Sequence, residues 1–170
     1  MVLLFCKRKS KTEKEIIEIL KSYGGDHIND REIVENNNTF TIVSFYKVSK
    51  LNIKGGIAVF CDDTEKFMLQ TLPKDIIGIC EEGNKTALSV FKKNEVSVIS
   101  CGMNSKNTIT LSSLDNNQLF AALQRSVTDN SGVYIDPAEF KIKLNSKYEP
   151  FSVMAGVAVL LLNSIKPDEF

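Results

Sequence analysis

One histidine serves the whole chain. That scarcity excludes a metal site built from several histidines and a catalytic triad centred on one. His27 lies in the polar run Gly25-Asp26-His27-Ile28-Asn29-Asp30 and reads as an exposed loop residue rather than a general base. Net charge is absent too: 21 basic residues balance 21 acidic ones, so no global field draws the protein onto nucleic acid or an anionic membrane. The four cysteines show no CxxC spacing, which argues against a zinc site and a disulfide framework and for buried reduced thiols at Cys6, Cys61, Cys80 and Cys101. No stretch approaches the roughly 20 apolar residues of a spanning helix. The apolar start, Met1 to Cys6, precedes its basic residues instead of following them, unlike a signal peptide. These absences predict a cytoplasmic protein with no metal, no nucleic-acid partner and no membrane partner.

What is present fits one α/β domain over residues 1–170, since 43% hydrophobic and 25% charged content is ordinary for a globular core. Val2 to Cys6 reads as a strand. A helix follows from Thr12 to Tyr23: Thr12 with Glu15 makes a capping box, Ile16, Ile17, Leu20 and Tyr23 share a face, and Gly24-Gly25 supplies the stop. Asp26 to Asn38 is polar and reads as loop. Thr39 to Tyr46 alternates like a strand, and Ile57 to Cys61 is a short apolar run stopped by Asp62-Asp63. Phe67 to Leu72 fits either type before Pro73.

The second half is more regular. Ile76 to Cys80 reads as a buried strand, Asn84 caps a helix carrying Ala87, Leu88 and Phe91, and Val96 to Cys101 returns as a strand. Continuous apolar strands alternating with helices predict a mostly parallel, Rossmann-like sheet flanked by helices. Beyond Gly102 the period changes to two. Thr108 to Leu114, Gln118 to Val127 and Glu139 to Leu144 predict a small antiparallel meander, about 107–144, with Phe140, Ile142 and Leu144 opposite Glu139, Lys141 and Lys143. Pro150 then opens a helix to Ile165 whose stretch Val153 to Leu162 has no polar face, so it must be buried or pack against a partner.

This order resembles the second half of the Mur ligase central domain, a bacterial family. The resemblance rests on Glu81-Glu82 closing a strand, the helix after Asn84, the turn Ser100-Cys101-Gly102, the meander, and the helix Phe151-Ser-Val-Met-Ala-Gly-Val-Ala-Val159. It implies the fold and transfers no catalytic residue, because Ile79 stands where the family places an adenine-contacting Asn and the metal-binding acid and His have no counterparts. A ligase of that family continues into a further domain beyond the point where Phe170 falls.

Several segments carry local chemistry. Gly78 to Thr86 contains most of a GxxxxGK[ST] phosphate loop, but Asn84 is inserted before Lys85, and Glu81 and Glu82 repel phosphate; it reads as a capped strand-to-helix turn. Ile57 to Asp63 looks like a metal-organising strand without its partner loop, and Lys7 to Lys14 like a solvated basic surface. The best ligand candidates are Glu81, Gly102, Asn104, Lys106 and Arg125, because ligands of open α/β sheets bind beyond the carboxyl ends of strands and Lys106 with adjacent amides suits an anion. Arg125 either reaches that site or pairs with Glu139 across strands. The sequence therefore predicts a non-catalytic domain without cofactor that acts by protein interaction or scaffolding, with a protein partner or homo-oligomer formed through the C-terminal helix. A small-ligand or nucleotide-binding domain is the alternative.

Overall fold

The computed structural model describes residues 1–37, 39–48, 50–61, 71–115 and 118–170. Strand β1 (Val2–Phe5) is buried along its whole length and lies parallel to both neighbours, β4 (Phe40–Phe45) and β5 (Gly56–Phe60). From that centre a ten-stranded sheet spreads in the order β12-β9-β8-β7-β6-β5-β1-β4-β2-β3. The parallel body also holds β2 (Gly25–Ile28), β6 (Ile76–Glu81), β7 (Ser97–Cys101) and β8 (Ile109–Asp115). Antiparallel pairing begins at the flanks, with β3 (Ile33–Val34) on β2, and with β9 (Gln118–Leu123) between β8 and β12 (Ala138–Lys143). A separate hairpin joins β10 (Val127–Thr128) to β11 (Tyr134–Ile135).

Two cores follow from covering both faces. Helices α1 (Lys11–Ser22) and α3 (Pro150–Leu162) share one core with Val2, Leu4, Ile42 and Val59. Helix α2 (Lys85–Lys93) covers the other through Ala87 and Phe91, which meet Leu3, Phe5 and Phe60. The alternation along β1 thus divides its side chains between the two layers. The fold is the mostly parallel α/β sheet with flanking helices that the apolar runs imply, and the meander strands β8, β9 and β12 continue the same sheet.

Several expectations are corrected. Helix α1 is capped by Ser10, whose hydroxyl accepts from the Glu13 amide at 3.3 Å, not by Thr12; Ser10 with Glu13 matches the same capping pattern two residues earlier and wins because Lys9, at φ 62°, turns the chain just before it. The polar run from Asp26 is not loop at its start. Residues Gly25 to Ile28 add a parallel strand beside β4, and their polar side chains find partners across the fold: the Asp26 carboxylate accepts from the Asn36 amide at 2.6 Å, and one ring nitrogen of His27 meets the Ser44 hydroxyl at 3.1 Å. The single strand expected from Gln118 to Val127 stops at Leu123, and Val127 pairs instead with Ile135. Cys6 and Cys61 are not free thiols but a disulfide joining the ends of β1 and β5, with Cα atoms 5.1 Å apart, while Cys80 and Cys101 are free and buried as expected. Leu88 is 36% exposed, so α2 packs through Ala87 and Phe91 without it. Asp63, Phe67 and the turn residues Asn116 and Asn117 lie outside the described residues, as does Asp62.

The apolar helix α3 is buried from Phe151 to Leu162, and the cover is the chain's own sheet and α1. Burial is thus the outcome, of the two that its lack of a polar face allows, that the chain itself supplies. No helix among the described residues is long and apolar enough to cross a membrane. Val157 is fully buried. Val157→Asp is expected to cost several kcal/mol, because an unpaired carboxylate is stranded in the core, against the roughly 5–15 kcal/mol that holds a domain folded. Urea unfolding measures it; an unchanged midpoint contradicts the burial.

Candidate functional site

The parallel strands all deliver their carboxyl ends to one edge of the sheet, where α1, α2 and α3 begin or strand-connecting turns gather. Around the first turn of α1 the chain builds two clefts, one on each flank. The first, about 410 Å³, lies between α1, the ends of β5 and β6, and the start of α3, and is lined by Thr12, Cys61, Glu81, Asn84, Glu149 and Phe151. The Lys11 ammonium beside it sits 3.1 Å from a Glu149 carboxylate oxygen and 3.5 Å from Glu15. Glu15 in turn accepts the Glu149 backbone N–H at 2.9 Å, so α1 and α3 meet at their N-termini through charged groups. The Glu149 carboxylate, by its hydrogen bond and its charge, raises the Lys11 pKa above 10.5.

Ser10-Lys11-Thr12 was overlooked in the sequence. A Lys-Thr pair opening a helix directly after an apolar strand stands in the register of the last two residues of a GxxxxGK[ST] pattern, whose glycine positions hold Phe5 and Ser10 here. The signal was present in that register, masked by the missing glycines. The replacement changes the chemistry. The Ser10 amide donates to Lys7 O at 3.1 Å and the Glu13 amide to the Ser10 hydroxyl, so two N–H groups near an incoming phosphate are already spent. The near-miss at Gly78 to Thr86 is the capped turn expected of it. Gly78 is inside β6, where an added Cβ meets the Phe91 ring at 2.6 Å, and the Asn84 side chain accepts from the Ala87 amide at 2.9 Å.

The residues expected to form a ligand site fall into separate places. Glu81 ends β6 and faces the 410 Å³ cleft. Gly102, Asn104 and Lys106 share the turn between β7 and β8, which closes on itself: Asn104 accepts the Lys106 and Asn107 amides at 2.9 Å, and Asn107, 4% exposed, donates to Glu82 at 2.5 Å. A side chain at Gly102 would meet Asn107 and Glu82, so this approach is filled. Arg125 lies just beyond β9 at the same end, where the neighbouring Gln124 amide donates to Thr108. Glu139 stands opposite Ala122, not Arg125.

The second cleft, about 510 Å³, opens on the other flank of α1 over β2 and the end of β4. His27 lines it and is 2% exposed, a correction to the loop residue the sequence implies. Its ring runs from Ser44 Oγ, 3.1 Å from Nε2, towards Glu32, 3.7 Å from Nδ1, a Ser–His–Glu line that the sequence reading excluded. Burial, helped by the nearby Lys21 charge, lowers the His27 pKa below 6.5 and keeps the ring neutral near pH 7. Tyr46 closes the mouth. Burial first, then the charge and hydrogen bond of Glu13, push its phenol up to about 12, and the Arg8 guanidinium lies 5.2 Å over its ring while held by Asp30 at 2.5 Å. Among the described residues no group of three or more His, Cys, Asp or Glu is gathered for a metal ion.

No protein-family model matches this sequence, and no curated protein matches it. Solved structures do. The UDP-N-acetylmuramate:L-alanyl-γ-D-glutamyl-meso-diaminopimelate ligase from Neisseria meningitides aligns over 99% of this chain and 62% of its own, with a TM-score of 0.58 and 9% identity. The UDP-N-acetylmuramoylalanyl-D-glutamyl-2,6-diaminopimelate–D-alanyl-D-alanyl ligase from Acinetobacter baumannii aligns over 97% of this chain and 43% of its own, at 0.52 and 8% identity; a second Acinetobacter baumannii structure, of MurF, gives 0.53 over the same shares. The fold is thus Mur-ligase-like over nearly the whole chain, where the sequence resemblance reached only its second half. The chain spans less than two thirds of the length of each of these ligases.

Two outcomes check the geometry. Asn107→Ala is expected to destabilise the protein by about 1–3 kcal/mol, since it removes a buried donor shared by Glu82 and Asn104 O, measured by denaturant unfolding. For His27 the native pKa lies below the unfolded 6.5, so the unfolded chain binds more protons in between. Its contribution is complete above pH 6.5 and is lost as pH falls from there towards the native pKa. His27→Gln should flatten that part of the stability–pH curve, and an unaltered curve contradicts the buried neutral ring.

Proposed function

We propose that this chain is a non-catalytic binding domain on a Mur-ligase-like fold, one that does not drive ligation with ATP and works through small ligands held at the carboxyl ends of its strands. The observation that carries the reading is the turn from Cys6 to Thr12. It occupies the place of a phosphate loop after β1, yet contains no glycine, and its lysine lies between Glu149 and Glu15 with Glu81 across the cleft. The ion pair alone is a weak barrier, since exposed pairs are worth about 0–1 kcal/mol. The stronger obstacle is bringing a polyanion against three carboxylates while backbone donors are engaged elsewhere.

Protein interaction or scaffolding loses its main support with α3 buried, whereas clefts at the strand ends remain available to ligands among the described residues. The small-ligand alternative is therefore favoured, with Glu81 the strand-end residue that faces a cleft, while Gly102, Asn104, Lys106 and Arg125 contribute no cleft to it among the described residues. Fold analogy with the ligases contributes nothing further to activity.

Purified protein mixed with magnesium and ATP is expected to show no saturable rise in melting temperature and no phosphate release above the blank. A concentration-dependent rise together with turnover that disappears in Lys11→Gln would restore the ligase-like reading.

A further inference from the structure

The cleft over β2 shares Arg8 and Lys9 with the turn before α1 but none of the residues around the Lys11 ammonium, and its floor is incomplete. His27 is 2% exposed, yet its Nδ1 has no hydrogen-bond partner, and the 3.7 Å to Glu32 is too long to count as one. An unpaired buried polar atom is destabilising, a penalty that a ligand in the cleft would relieve. Ser44 fixes the ring from the far side through Nε2, so the Ser44 hydroxyl can donate and leave Nδ1 as the N–H donor facing the cleft.

The walls decide the charge of what fits. Lys14 and Lys21 come from α1 and Arg31 from the turn after β2. Against them stand three carboxylates. Glu13 faces the Tyr46 phenol at the mouth and Glu18 accepts the Tyr148 hydroxyl at 3.2 Å, so each of these carboxylates is turned to a phenol. Glu32 stands at the edge, with a side chain 56% exposed to water. Arg8 is committed to Asp30 and to the Tyr46 ring, and serves as wall. With Lys9 beside Lys14, Lys21 and Arg31, four cations and one neutral donor outnumber the carboxylates and match a doubly charged anion better than a singly charged one. Ile17 and the Tyr46 ring offer apolar surface for the body that carries it.

We infer that this cleft is a binding site for a small molecule bearing a phosphate group, with His27 Nδ1–H, Lys14, Lys21 and Arg31 as its ligands. The site lies on the flank of α1 opposite the Lys11 cleft and stands independently of the reading given to that turn.

Inorganic phosphate is the probe, and the histidine count makes the readout unambiguous: the imidazole signals in a nitrogen–proton correlation spectrum belong to His27 alone. The expected result is a saturable shift of the His27 ring nitrogens, with binding weakened at least about tenfold in Lys21→Gln and in Arg31→Gln, a change typical of losing one charged hydrogen bond. Both positions lie at the rim, so these variants keep the fold even where His27→Gln does not. Acetate should bind more weakly than phosphate; equal binding overturns the assignment of a dianion. No saturable shift, or a shift unchanged in both rim variants, overturns the site. Binding that is lost only in Lys11→Gln would place the anion at the β1–α1 turn and contradict both this inference and the proposed function.

Discussion

The burial of α3 is the constraint on which the rest of the molecule depends. A helix with no polar face has to be covered all round, and here it lies across β6, β7 and β8 on one side and along α1 on the other. Close approach is needed for that packing. Gly156 faces Ile19 so tightly that an added Cβ would come within 2.9 Å of it. Once α3 is seated, the segments at both its ends clamp α1: Tyr148 reaches Glu18, and Tyr23 accepts the Asp168 and Glu169 amides while its hydroxyl donates to the Asp168 carboxylate at 2.7 Å. The hairpin β10–β11 is fastened by the same helix, through the Asn130 amide on Leu162 O and the Ser164 hydroxyl on Asp129.

That placement also decides the chemistry at the strand ends. Seating α3 brings Glu149 to the first turn of α1, where its carboxylate pairs with the Lys11 ammonium, whose side chain stays 67% exposed. The carboxyl edge of the sheet is where ligands gather in open α/β folds, and α1 splits that edge into an acidic flank and a basic one. The acidic flank, with Glu81 and Glu149, disfavours phosphate. The basic flank contains a buried imidazole whose pKa is lowered by burial and by a neighbouring lysine, an arrangement that suits donation to an anion.

Legibility in the sequence followed the strength of the periodic signal. Apolar runs such as Ile76 to Cys80 and the unbroken Val153 to Leu162 were readable because burial on every side leaves no other pattern. Strand β2 was not. Its Gly25-Asp26-His27-Ile28 is polar by composition, and only tertiary partners, Asn36 for the aspartate and Ser44 for the histidine, make that polarity compatible with a strand beside β4. The His27 cleft was hidden for the same reason, since Ser44 and Glu32 come to the ring from opposite sides through strand pairing and a turn that spacing does not reveal. The Lys11-Thr12 pair was legible in register but lacked the glycines that usually mark it. The cysteine pair, 55 residues apart in sequence, is brought together by the parallel pairing of β1 and β5 alone.

The most direct test of the central claim, that carboxylates hold the lysine of the β1–α1 turn, is an NMR titration of the Lys11 side chain in the native protein and in Glu149→Gln. The account predicts that Lys11 titrates above the ordinary 10.5 and falls back towards that value once the Glu149 charge is removed. A Lys11 that titrates at 10.5 in both proteins would show an ammonium free to meet phosphate, and would contradict the account.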